Sequence, residues 1–155
     1  AVIKGGWRKY IATPCHEIII YMFDCGYSSL MGKPRQIAAT STIGLISCKN
    51  IMYKKNFFIK FITEDKEKGL EIYRDKIQAS FSAFPDWMAP LVRNYTGSHL
   101  VLGDKGDKKG RDEGVGSSIL VDTPSITAIA GGSPNISLVD EAPNIDIFQK
   151  TFTKI

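Results

Sequence analysis

A chain of 155 residues with 43% apolar and 23% charged residues can bury one real core, and its composition is ordinary for a globular protein and does not suggest disorder. The net charge of +4 arises from interspersed cations and anions, so it permits contact with nucleic acid without requiring it. No apolar run approaches the length of a membrane span, and the start carries no signal-peptide pattern.

The three cysteines, Cys15, Cys25 and Cys48, include no C-x-x-C pair and read as reduced thiols in a cytoplasmic setting. With only His16 and His99 beside them, they do not read as a zinc site. The chain starts at Ala1 instead of Met and stops soon after an acidic pair, so both ends are expected to be cuts in a longer protein.

Residues 1–12 form an irregular lead-in with no clear period. Thr13 and Pro14 then supply a hydroxyl cap and a proline at the first helical position, with Glu17 in the first turn. That helix is expected to run to Asp24 or Cys25 and to stop at Gly26. A short strand is expected over residues 27–31, interrupted by Ser28 and Ser29, and a buried helix over 42–53.

After a turn at Lys54, Lys55 and Asn56, the run FFIKFI at 57–62 has the aromatic and branched content of a core strand. Thr63 is the expected cap of the next helix. Leu70, Tyr73, Ile77, Phe81 and Phe84 recur at three- and four-residue steps, giving it one apolar face, and Pro85 ends it. Residues 86–90 read as a packed loop, 95–102 and 117–123 as strands, and 124–130 as a short helix. Between those strands lies a Gly-rich segment whose Lys105, Lys108, Lys109 and Arg111 are offset by Asp104, Asp107, Asp112 and Glu113. It reads as a solvated hairpin loop more readily than as a DNA contact. Residues 136–139 form a further expected strand, and Ile147, Phe148 and Phe152 hint at one more element.

Two stretches carry chemistry. GKPRQIAATS at 32–41 lies between an expected strand and an expected helix, the setting in which backbone N–H groups and a helix N-terminus cradle phosphate. The phosphate-loop pattern is G-x-x-x-x-G-K-S/T, and here Ala38 and Ala39 fill the slots of its second Gly and its Lys. A plain turn into a buried helix is the alternative. NISLVDEA at 135–142 is a strand-like run ending in Asp140 and Glu141. At the carboxyl end of a strand in an open α/β sheet, one carboxylate can hold Mg²⁺ and a second can polarise an attacking water. The alternative is an exposed strand end.

Lys33, Pro34, Arg35, Gln36 and Ile37 followed by Thr40, the segment 62–90 with its PDWMAP phrase, and SLVDEA at 137–142 together resemble the ATPase domain of the large terminase subunit of tailed bacteriophages. That family typically shows an R-Q-x-G-K-S/T loop, a helix ending near a P-D/E-W/F-L/M-x-P phrase, and an apolar strand ending in Asp-Glu. The likeness runs from about Trp7 to the end of the chain, and the PDWMAP phrase is its most family-specific part.

The resemblance implies an α/β fold, a P-loop NTPase-like three-layer sandwich with a mostly parallel central sheet. It implies one truncated P-loop ATPase domain over 1–155, without the nuclease domain. The cofactors implied are ATP and Mg²⁺. Lys33, Arg35 and the backbone of Gln36, Ile37, Ala38, Ala39, Thr40 and Ser41 would bind the nucleotide, Thr40 and Asp140 would hold the metal, and Glu141 would activate water. His16 or Glu17 would stand where the family recognises adenine, unless both simply belong to a capped helix.

The partners implied are double-stranded DNA, a capsid portal and a small terminase subunit, with a homo-oligomeric ring on the portal in the host cytoplasm and no membrane. Two alternatives stay open: another DNA translocase or helicase-like ATPase, and a nucleotide-binding or structural fragment that does not hydrolyse.

Overall fold

The structure, a computed structural model, describes residues 2–3, 6–7, 11–28, 38–103, 115–123 and 132–141. It is α/β, with a five-stranded mixed sheet and packed helices. Among the described residues no helix is long and apolar enough to cross a membrane.

The lead-in holds a small antiparallel pair, β1 (Val2–Ile3) and β2 (Gly6–Trp7), which the sequence pattern does not announce. Helix α1 (Pro14–Cys25) has the expected limits. Its start is closed by Thr13, whose N–H donates to His16 Nδ1 at 3.1 Å. Its end is closed by Gly26 at φ +70°, with Tyr27 N–H donating to the Met22 carbonyl at 3.1 Å, a left-handed cap that glycine adopts at little cost. His16, Ile19 and Phe23 form its buried face, and that face packs on α2.

Helix α2 (Ala39–Tyr53) is the central helix, with Thr42, Ser47, Cys48, Asn50 and Ile51 all buried. Small residues let it approach its neighbour closely. A β-carbon on Gly44 would lie 3.1 Å from the Lys76 carbonyl oxygen, and the Cys48 thiol donates to the Ile77 carbonyl at 3.5 Å. Burial pushes that thiol up to about 12, so it stays protonated and unreactive.

Strand β3 (Phe58–Ile62) is an interior strand of the sheet, paired on both sides. Helix α3 (Lys66–Ile72) follows, continued by a π-helical segment (Tyr73–Gln78) and a last turn, α4 (Ala79–Phe81). The cap of α3 is Asp65, whose carboxylate accepts from Lys68 N–H at 2.7 Å, and not Thr63 as the sequence suggests. Thr63 is buried and donates its hydroxyl to the Asp65 carbonyl at 2.9 Å. The apolar stripe also shifts: Tyr73, Ile77 and Phe81 are buried but Leu70 is 39% exposed. A π turn carries an extra residue, so the face before it is rotated and is borne by Gly69 and Ile72.

Beyond Pro85, Trp87 is 83% exposed and does not pack as expected. The strand expected over 95–102 is instead a hairpin, β4 (Val92–Tyr95) and β5 (His99–Leu102), closed by Thr96 N–H donating to the His99 carbonyl at 3.1 Å. Strands β6 (Ser118–Asp122) and β7 (Ile136–Val139) fall where the sequence places them.

The sheet order is β4-β5-β6-β3-β7. Strands β6, β3 and β7 are mutually parallel, while β4, β5 and β6 pair antiparallel. The sheet is therefore mixed, with a parallel centre and an antiparallel edge. Parallel register aligns Ile59 with Ile119 and Ile136, and Phe61 with Val121 and Leu138. Ile59, Phe61, Ile119 and Val121 are buried and join Ile46 and Ile51 of α2 and Ile77 in one core cluster.

On the other face of β3, Lys60 is only 5% exposed and pairs with Asp122 at 3.5 Å. The segment expected as a helix at 124–130, most of the Gly-rich loop, the residues Ile147, Phe148 and Phe152, and the end of the strand expected at 27–31 lie outside the described residues.

Candidate functional site

Because β6, β3 and β7 run parallel, their carboxyl ends share one edge of the sheet. Two hydrogen bonds extend the pairing there: Thr63 N–H donates to the Asp122 carbonyl at 3.1 Å, and Asp140 N–H to the Ile62 carbonyl at 3.0 Å. Open α/β sheets bind ligands at this kind of edge.

The N-terminus of α2 arrives at the same place. The Thr40 hydroxyl donates to Asp140 Oδ2 at 3.3 Å, across 100 residues of sequence. The first N–H groups of a helix have no intrahelical carbonyl to bond, and the first turn of α2 contains no acidic side chain, so it favours an approaching anion. Asp140 beside it would repel a phosphate unless a cation lay between them. The Thr40 hydroxyl and the Asp140 carboxylate are hard oxygen donors of the kind that Mg²⁺ accepts while keeping waters and phosphate oxygens as its other ligands. The donor set thus fits a magnesium nucleotide. Among the described residues there is no cluster of three or more His, Cys, Asp or Glu side chains that would cage a metal by itself.

Ala38, the cap of α2, stands at φ +54°. For a residue with a β-carbon this left-handed conformation costs about 1–2 kcal/mol, and the phosphate-loop pattern has its glycine in that slot. Ala38→Gly relieves the strain, offset by about 0.4–1 kcal/mol of extra freedom in the unfolded chain. We expect the variant to be more stable by about 0.5–1 kcal/mol, read as a thermal midpoint raised by roughly 1–4 °C. An unchanged or lower midpoint would refute the strain. Ala39, in the slot of the pattern's lysine, is buried, and Ser41 is half-buried on the same first turn. The Ala38 carbonyl accepts both from Thr42 N–H at 3.0 Å and from the Thr42 hydroxyl at 3.1 Å, which pins the start of the helix. Lys33, Arg35, Gln36 and Ile37 lie outside the described residues.

Glu141 lies two residues past the end of β7 at φ +55°, a second left-handed residue with a side chain at this edge. Its carboxylate pairs with Lys68, which also pairs with Glu64 at 2.8 Å. Hydrogen bonds to Glu141 first and to Glu64 second hold the Lys68 ammonium above the ordinary lysine range. Sequence reasoning missed Lys68. The Glu64 to Lys68 spacing of four on a helix was readable as a local pair, but nothing local points to Glu141, 73 residues on.

The residues expected to meet adenine read differently in place. His16 is buried and its ring accepts from the backbone of Thr13, so it serves the helix cap, and Glu17 is exposed. A cavity of about 290 Å³ opens beside the site at the ends of β3 and β6, lined in part by Thr63, Lys66, Gly69, Ser98, Asp122 and Thr123. It does not include Thr40, Asp140 or Glu141. The contact between the start of α2 and the end of β7 thus lies outside that cavity. No protein-family model matches the chain, and neither does any curated protein.

Proposed function

We propose that the chain is a nucleotide-driven motor domain with a P-loop NTPase-like three-layer architecture, the ATPase part of a viral DNA-packaging large terminase subunit. The contact between Thr40 and Asp140 carries this reading. It joins the hydroxyl of one motif to the carboxylate of the other at the carboxyl edge of a parallel sheet.

In this scheme Lys33, Arg35 and the N–H groups of Gln36, Ile37, Ala38, Ala39 and Thr40 grip the triphosphate. Thr40 and Asp140 hold Mg²⁺, with Ser41 next to them. Bound Mg²⁺ supplies charge neutralisation between the phosphates. Glu141 takes up a proton from the attacking water. The force so generated would move double-stranded DNA through a capsid portal, with a small terminase subunit selecting the DNA and copies of this chain forming a ring, in the host cytoplasm.

A titration of ATP with Mg²⁺ tests the scheme. Thr40→Val removes a hydroxyl bonded to a charged group, worth about 1.5–3 kcal/mol. We expect it to weaken Mg²⁺-dependent nucleotide binding by roughly tenfold to a hundredfold, and Lys33→Ala to weaken binding with or without the metal. Tight binding that ignores both substitutions would refute the site.

A second reading, a nucleotide binder that does not hydrolyse, draws on one observation: Ala39 is buried where the pattern supplies a lysine. It is distinguished by binding of ATP without release of phosphate.

A further inference from the structure

Helix α2 begins at the candidate site, and its 15 residues carry the chain about 22 Å to the opposite edge of the sheet, where β3 begins. The end of α1 joins it there. Lys49 bonds Asp24 at 2.9 Å, and the Asp24 carboxyl is held below the usual carboxylate range by Lys49 first and further by Lys54. The turn of Lys54, Lys55 and Asn56 is fixed in place by Asn56 N–H donating to the Val115 carbonyl at 2.8 Å, and by the Ser117 hydroxyl donating to the Lys54 carbonyl.

The surface built in this way is both aromatic and basic. Tyr21, Tyr27 and Tyr53 are 63%, 61% and 62% exposed. The rings of Tyr21 and Tyr27 have their centroids 6.4 Å apart. Tyr21 stands one helical turn before Asp24 and Tyr53 one turn after Lys49, so each is a surface neighbour of the ion pair. Exposed Lys49, Lys54 and Lys55 set three positive charges against the single carboxylate of Asp24. Residues 104–114, which re-enter the described fold at Val115, carry four cations and four carboxylates and leave that balance unchanged. Cations past the end of a helix suit its dipole, which accounts for a lysine here. It does not account for three tyrosines left so exposed.

Lysines draw phosphates, and flat aromatic rings offer faces on which unpaired bases stack. In a duplex those base faces are covered by the neighbouring pairs, so only the lysines could act on it. We infer that this edge binds single-stranded nucleic acid without sequence preference, with bases on Tyr53 and on the Tyr21–Tyr27 pair and phosphates toward Lys49, Lys54 and Lys55. The site is separate from the proposed nucleotide site, at the other edge of the sheet.

The test titrates a fluorescein-labelled thymidylate oligomer of about ten nucleotides with the whole chain and reads its anisotropy. Three lysines give a slope of log affinity against log salt of about −2, and Lys54→Gln with Lys55→Gln should bring it to about −0.7. Tyr53→Ala is expected to weaken binding by about fivefold or more. Tyr53→Phe keeps the ring and should bind within about twofold of the unmodified protein. A duplex of the same length is expected to bind at least about fivefold more weakly than the single strand. All of these side chains are exposed, so the thermal midpoints of the variants should match that of the unmodified protein.

No binding, a duplex held as tightly as the single strand, or an affinity indifferent to Tyr53→Ala overturns the inference. Polyglutamate bound as well as the oligomer assigns the surface to acidic protein segments and overturns it too. None of these readings involves ATP, so their failure leaves the proposed function standing, and failure of the nucleotide site leaves this one.

Discussion

Glu141→Gln is expected to reduce ATP turnover by about two to four orders of magnitude, the range lost with a positioned general base, while nucleotide affinity stays within a few-fold. The amide has nearly the shape of the carboxylate but no charge and no capacity to take a proton. The separation of the two effects follows from the geometry. Thr40 and Asp140 make the contact expected to hold the metal, whereas Glu141 is partly exposed and bonded to Lys68. Substitution at Glu141 leaves Lys68 with Glu64 as a partner, so no buried charge is stranded and the fold should keep its stability. Single-turnover phosphate release beside equilibrium binding checks this result. Unchanged turnover would remove the catalytic assignment.

The second large effect is on stability. Ile59→Ala is expected to cost about 2–5 kcal/mol, a large share of the roughly 5–15 kcal/mol that holds a typical domain together. Ile59 is fully buried in β3, flanked by Ile119 on one side and Ile136 on the other. Strand neighbours fix its backbone, so the cavity left by the shortened side chain cannot easily collapse. The thermal midpoint should fall by roughly 4–20 °C. A loss below about 1 kcal/mol would mean that the core is not organised around this strand.

Much of this architecture was legible where the signals are local. Thr13, Pro14 and Gly26 fix both ends of α1 because capping chemistry acts within one turn. The strands β3, β6 and β7 were legible because short apolar runs bounded by turn residues have few other uses in a chain of this size. The Thr40 to Asp140 contact was expected from two motifs that make chemical sense only together.

What escaped has a common cause: it is set by distant partners. The π turn at Tyr73–Gln78 adds a residue that a period-counting reading cannot see, so Leu70 was assigned to the wrong face. β4 carries Arg93 and is mostly exposed, which leaves an edge strand without an apolar signature, and the antiparallel part of the sheet went with it. Thr63 and Asp65 are both sound cap residues by type. The choice between them was made by the Asp122 carbonyl, which binds the Thr63 N–H and holds that residue against the end of β6. Lys68 and Glu141 meet through folding alone.

Strand β3 also waits longest for its neighbours. Residues that pair with its start lie 60 and 77 positions later, so on a growing ribosomal chain the run FFIKFI emerges well before anything can cover it. Six such residues in a row are prone to stack with copies of themselves. Lys60 places a positive charge in the middle of that run, and like charges on neighbouring nascent chains oppose stacking. The ion pair with Asp122 is then the means by which the finished fold accommodates that charge.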